Sequence, residues 1–353
     1  MSLPTGDFIE AVRTSCKNVV EKSPVNISMT GVDDFLNKLE KPYYEELSID
    51  TPMRMPVKFS TLAEEINFVC VIDLLNFGSG YRVPLHELTG RGAFDTIRFG
   101  VMSFHIGGTP MDAKTFKDIT LWEVASTFQI PVTQEVDHET LQFVKTVVQT
   151  PLKPFAEGIQ QVLNSTGEFL VDHGYKDLAA FVLDLTRPEA NKEPRASQLV
   201  EQLVRALPGL QDLYTTPDGD TVYLFKKAQI MVYHLWMFFH DQEPARFNFV
   251  DIHNLTVFSD NVLPTMLIHL GVLTMPEDWQ NDLDTNTDVG PFKGTVLRAA
   301  AVTACDVIVE HAASVGPVPH MHTGDLDVYL WRLGKVGDYR KVPRMEWRDT
   351  VMF

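Results

Sequence analysis

The chain is poor in cysteine, in basic residues and in long apolar runs. Its 353 residues include three cysteines, Cys16, Cys70 and Cys305, odd in number and too widely spaced for a disulfide framework or a zinc site. They read as core residues in a reducing compartment. The most apolar stretch, IMVYHLWMFF at 230–239, is far shorter than the roughly 20 residues a bilayer-spanning helix needs. The N-terminal MSLPTGDFIEAV brings Asp7 and Glu10 early and does not read as a secretory signal. A cytoplasmic protein without a membrane partner is expected. Lys and Arg number 30 against 47 Asp and Glu, a formal charge of −17. That field repels a phosphate polymer, so extended nucleic acid is not the expected partner, whereas a single small anion stays open.

Recognisable catalytic signatures are also few. Gly78, Ser79 and Gly80, with Gly90 and Gly92, sit in no strand–loop–helix unit of phosphate-binding spacing. His86 followed by Glu87 lacks the second histidine of a zinc-protease helix, and the His320 and His322 pair lacks a third ligand. There is no nucleophile elbow and no kinase signature. No metal or cofactor is expected.

What is present is helical periodicity. The segments 30–40, 62–77, 139–150, 155–173, 196–210 and 297–316 place apolar residues three and four apart, as core-facing helices do. The segment 226–239 is apolar nearly all round and predicts a central, buried helix. In LYTTPDGDTVYLF at 213–225, Pro217, Asp218 and Gly219 form a turn between two β-prone runs, predicting a short hairpin. Segments 186–197 and 280–293 read as surface loops. The expectation is a mainly α chain folded as one domain over 1–353, with helical lobes roughly at 1–150 and 151–353.

One acid is oddly placed. In VFSDNVLPTMLIHLGVL at 257–273, Asp260 stands four residues before Pro264, at the mouth of an apolar run. As the cap of that helix it would put Pro264 where the missing N–H deletes a regular helical bond. With Asn261 at the cap, Pro264 falls in the first turn, where no partner is needed. Asp260 then lies just outside the helix; capping and a functional carboxylate are both open readings. Lys226 and Lys227 open the buried 226–239 helix, where cations oppose the helix dipole, and so suggest a site for an anion or a carboxylate. Tyr329 and Trp331 read first as core aromatics, with stacking on a planar ligand as the alternative.

These residues resemble the queuosine salvage proteins. From about residue 60 to the C-terminus, four motifs occur in the family's order. Leu224, Phe225, Lys226, Lys227, Ala228 and Gln229 are similar to its Phe-Tyr-Lys-Arg-Ala-Gln, followed by a buried helix with Trp236. Phe258, Ser259, Asp260 and Pro264 are similar to Phe-Ala-Asp-Tyr-Arg-Val-Pro-Gln, and His269, Leu270 and Gly271 to the His-Leu-Gly that follows. Leu326, Asp327, Tyr329, Leu330 and Trp331 are similar to Leu-Asp-Tyr-Tyr-Leu-Trp. The chain departs from the family at Asn261 and Val262, where the motif has Tyr-Arg, and at Thr265, where it has Gln. Ser79 and Gly80 stand in place of a Phe-Trp pair after Asn76 and Phe77.

The resemblance implies a helical fold like the helix-hairpin-helix DNA glycosylases. The activity it implies is hydrolysis of queuosine 5'-monophosphate to queuine and ribose 5-phosphate, without cofactor. It implies Asp260 and Lys226 as catalytic groups, and Asn76, Phe77, Tyr81, Lys227, Asp327 and Trp331 as substrate contacts. A carboxylate facing the sugar would stabilise the oxocarbenium-like transition state, and a lysine would hold that carboxylate ionised or bind the phosphate. A non-catalytic or altered-specificity nucleotide-binding protein is the alternative, and a polymer-acting glycosylase is disfavoured by the charge.

Overall fold

The computed structural model describes residues 2–49, 57–138, 140–141 and 143–353. Two apolar helices form its centre. Leu62–Leu74 begins at Thr61, whose side chain accepts from the Glu64 N–H, and buries its residues from Ile66 onward. It packs along Lys226–Phe239, which is also buried on nearly every side. Leu178–Leu185 covers the first of this pair and Ala196–Ala206 the second. On a further side runs the 23-residue helix Gly290–Ala312. Its small residues Ala299, Ala300, Ala301 and Ala304 are buried and admit close neighbours, among them Phe8–Glu21, Val262–His269 and Thr323–Leu333. The buried apolar side chains of these helices join in one core.

Strands are short and peripheral. The anticipated hairpin is present, pairing Leu213–Thr215 with Thr221–Tyr223 in the register Leu213↔Tyr223. It delivers the chain into Lys226–Phe239 through Phe225, whose left-handed φ of 49° makes the turn sharp. Asn26–Ile27 pairs with Leu273–Thr274.

Two expectations are corrected. Where helical spacing suggested a helix over 139–150, Lys145–Gln149 pairs antiparallel with Thr133–Asp137; Glu139 and Gln142 lie outside the described residues. The spacing was coincidental, because Val147 is 64% exposed and Phe143 faces solvent, so no core selects the helix over the β preference of Thr146, Val147 and Val148. The expected loop at 280–293 is mostly helical. Glu277–Asp284 starts after Pro276 with Glu277 and Asp278 in its first turn, a favourable placement on the dipole, and Gly290 already begins the long helix.

Candidate active site

Asp260 lies just outside the helix that follows it, and its carboxylate still meets that helix's first N–H groups. The helix Val262–His269 has Asn261 at its cap position and Pro264 within its first turn, as the spacing required. Asp260 reaches forward to accept from the Val262 N–H at 2.6 Å and the Leu263 N–H at 3.4 Å, both through Oδ1. Its other oxygen has no hydrogen-bond partner among the described residues. The residue lines a cavity with Asn76, Phe94, Lys226, Asp327 and Trp331. The cavity is small, about 50 Å³ in volume.

The adjacent lysines part company. Lys226 faces the cavity and donates from Nζ to the backbone oxygen of Asn76 at 2.8 Å and to its Oδ1 at 2.9 Å. Burial pushes its pKa down to about 8, with Asp260 and Asp327 opposing that shift. One residue on, the helix turns Lys227 into the core. Its Nζ donates to the Leu74 carbonyl at 2.9 Å and lies 4.9 Å from the centre of the Phe77 ring, away from the cavity lining.

Asp327, in the Thr323–Leu333 helix, accepts from the Phe258 N–H at 2.7 Å. This bond fixes the irregular segment leading to Asp260. Burial, reinforced by the negative charge of Asp260, raises the Asp327 carboxyl to about 8. Two carboxyl groups thus share one cavity, with Asp327 holding its proton at neutral pH.

The raised carboxyl has a measurable stability sign. Between its unfolded value near 4 and about 8, the folded state binds the extra proton, so the residue's contribution falls as pH rises through that window. Lys226 acts oppositely above about 8, where the unfolded chain binds more protons. Denaturant titrations are therefore expected to show Asp327→Asn gaining on the parent steadily from pH 5 to pH 8. A pH-independent difference would mean that Asp327 is already ionised at pH 5.

Two buried pairs hold this geometry. Arg298 forks onto Asp212 at 3.0 and 2.6 Å and donates from Nε to the Ser259 carbonyl at 2.9 Å. The same Asp212 accepts from the Lys226 N–H at 3.3 Å, and its backbone oxygen accepts from the Leu224 and Phe225 N–H groups. One ion pair therefore ties the residue before Asp260 to the turn that presents Lys226. In the second pair, both Asp73 oxygens lie 2.9 Å from Nδ1 of His234, itself a cavity residue. Sequence reasoning missed all four residues. The available signal was a lone polar group in an apolar run, as in VCVIDLL, MVYHLW and VLRAAAV, since such groups are buried only with a partner.

The aromatic contacts are rearranged relative to expectation. Trp331 lines the cavity and stands edge-on to Phe94, with ring centres 5.5 Å apart. Tyr81 is instead buried against Phe155, stacked at 5.4 Å, and Phe77 packs edge-on to Phe155 at 5.7 Å; Phe77 reaches only the adjoining outer chamber. Three of the positions that depart from the resembled motif, Gly80, Asn261 and Thr265, lie against the C-terminal segment. A Cβ on Gly80 would meet the Trp347 carbonyl oxygen at 2.2 Å, so no tryptophan fits there. Asn261 donates to the Met345 carbonyl at 3.1 Å, and Thr265 Oγ1 accepts from the Met345 N–H at 3.3 Å. These substituted positions seat the C-terminal segment around Met345 and Trp347.

Comparison with known proteins adds to this geometry. A sequence profile described as queuosine salvage protein matches residues 116–350. A queuosine 5'-phosphate N-glycosylase/hydrolase of Schizosaccharomyces pombe is 24% identical over 187 residues, 52% of this chain and 49% of that protein. The protein of that description from Sphaerobacter thermophilus is 28% identical over 142 residues, covering 40% and 42%, and that from Mus musculus 24% identical over 238 residues, covering 58% and 65%. Each match thus spans less than two thirds of the relative. The profile covers well over half of the chain and takes in Lys226, Asp260 and Asp327, so the chain belongs to the queuosine salvage protein family.

Proposed function

We propose that the chain hydrolyses the N-glycosidic bond of queuosine 5'-monophosphate, releasing queuine and ribose 5-phosphate. The observation that carries this reading is the convergence of Asp260, Asp327 and Lys226 on one small cavity, with burial raising the Asp327 carboxyl. As the bond between the anomeric carbon and the base nitrogen breaks, its electron pair leaves with the base, which takes the proton held by Asp327. Positive charge then builds on the sugar, and the fixed Asp260 carboxylate stabilises it while water forms the new carbon–oxygen bond and gives its proton to the Asp327 carboxylate, restoring the acid. Lys226 places a positive charge beside the reacting sugar, and Asn76 keeps Lys226 in place.

The same reading takes the chain as a single cytoplasmic domain with an arrangement like the helix-hairpin-helix DNA glycosylases, acting on a mononucleotide and not on a polymer. The net charge of −17 favours that choice. Incubation with queuosine 5'-monophosphate, followed by chromatography for queuine, tests it directly. Binding without release would favour a non-catalytic nucleotide-binding role, a reading that the substitutions at Asn261, Val262, Ser79 and Gly80 motivate.

Base stacking assigns a further outcome. Trp331→Ala is expected to weaken queuine binding by about 1–3 kcal/mol, the range for loss of a base–aromatic stack. Tyr81→Ala should lower stability, because it empties a buried site against Phe155, and leave queuine affinity unchanged. Calorimetric titration of both variants with queuine separates the two, and the reverse ranking would place the base beside Tyr81.

A further inference from the structure

The inner cavity shares Asn76, Phe94, Asp260 and Trp331 with a larger outer chamber. Its walls bring together four cations, Arg82, Arg340, Arg344 and Lys335, against the two carboxylates of Asp95 and Asp260, an excess of positive charge on a chain whose net charge is −17. Arg344 is only 5% exposed. Its Nη2 donates to the carbonyls of Gly334 and Tyr339, at 2.7 and 3.0 Å. Its Nη1 is buried and has no hydrogen-bond partner among the described residues. A buried guanidinium with an unmet donor is costly unless an acceptor arrives.

The surrounding cations make the acceptor's charge plain. Arg82 donates to the Arg340 carbonyl at 3.0 Å, bringing the two arginines together. Burial and the charge of Arg82 lower Arg344 to about 10, and burial and Arg340 lower Arg82 in turn. These arginines oppose one another's charge, with the nearby Asp260 and Glu346 compensating only in part. Val262, in the same chamber wall, brings no charge of its own. The buried lysines offer less to an anion: Lys227 is spent on Leu74, and Lys226 on Asn76.

We infer that the outer chamber holds the 5'-phosphate of the substrate on Arg344, Arg82 and Arg340, with the sugar bridging to Asp260 at the shared wall. This rests on the nucleotide reading above and goes beyond it by moving the phosphate from the lysines to the arginines. Arginine suits the task, because its planar fork pairs two donors with phosphate oxygens.

The test uses the full chain with orthophosphate as the probe, titrated calorimetrically, alongside kinetics on queuosine 5'-monophosphate and on the free nucleoside. Arg340→Gln alters an exposed side chain, and Arg344→Gln keeps an amide donor for the Gly334 and Tyr339 carbonyls, so folding is checked against two variants. Each is expected to weaken orthophosphate about tenfold or more and to raise KM for the nucleotide similarly, as loss of a charge-assisted bond requires. KM for the nucleoside should hardly change. Lys341→Gln, which removes an exposed lysine paired with Asp338, should leave all three constants as they are. The inference is overturned if orthophosphate does not bind saturably, if neither arginine substitution weakens it, or if Lys341→Gln weakens it equally. An unchanged preference for nucleotide over nucleoside in both arginine variants overturns it too. Orthophosphate binding that follows the expected pattern in a chain that releases no queuine upholds the anion chamber and counts against the reaction alone.

Discussion

Asp260→Asn is expected to leave a folded protein that binds nucleotide and releases queuine at least about a hundredfold more slowly, as loss of fixed transition-state charge stabilisation does in other enzymes. The substitution is informative because the proposed reaction adds a second role to the helix contacts of Asp260. Asparagine still presents Oδ1 to the Val262 and Leu263 N–H groups and is as good a helix cap as aspartate. Stability should therefore be nearly unchanged while the charge facing the sugar is gone. Single-turnover kinetics beside a denaturant melt measures both. If Asp260→Asn turned over normally, the carboxylate would be a cap and nothing more; a large loss of stability would show that the cap needs the charge.

The placement of Asp260 also shows how far the sequence could be read. The proline spacing was enough to put the helix start at Val262 and to leave Asp260 outside it, because backbone rules are local. The buried 226–239 helix and the 213–225 hairpin were legible for the same reason. Lys226 and Lys227 were not separable in the sequence: they are adjacent, and only the direction of the Phe225 turn, set by Asp212 from fourteen residues away, decides which faces the cavity. Tyr81 looked like the nearest aromatic to the missing Phe-Trp pair, yet the segment around Trp347 comes from the far end of the chain to claim that space. Long-range partners of this kind, like Arg298 for Asp212 or His234 for Asp73, leave only a stray polar letter in an apolar run. The helical spacing of 139–150 misled because periodicity states what a core would select, and no core lies there.

Lys226→Met is the most demanding test of the site. Lys226 carries its charge only up to a pKa of about 8, and Asp327 its proton only up to about 8, so both active forms are lost as pH rises and turnover should fall through that value. The two groups interact, and the limb belongs to the pair. Removing the lysine should reduce turnover about a hundredfold or more, since the cavity loses its fixed cation and the Asn76 oxygens lose their donor. It should also move the alkaline limb upward, because Lys226 is one of the charges that lowers the Asp327 carboxyl. The preference for nucleotide over nucleoside should survive, because the arginines and not Lys226 hold the phosphate. Rates for both substrates across pH 6 to 10 distinguish the cases: a limb that stays in place removes Lys226 from the coupled pair, and a collapsed nucleotide preference returns the phosphate to the lysine.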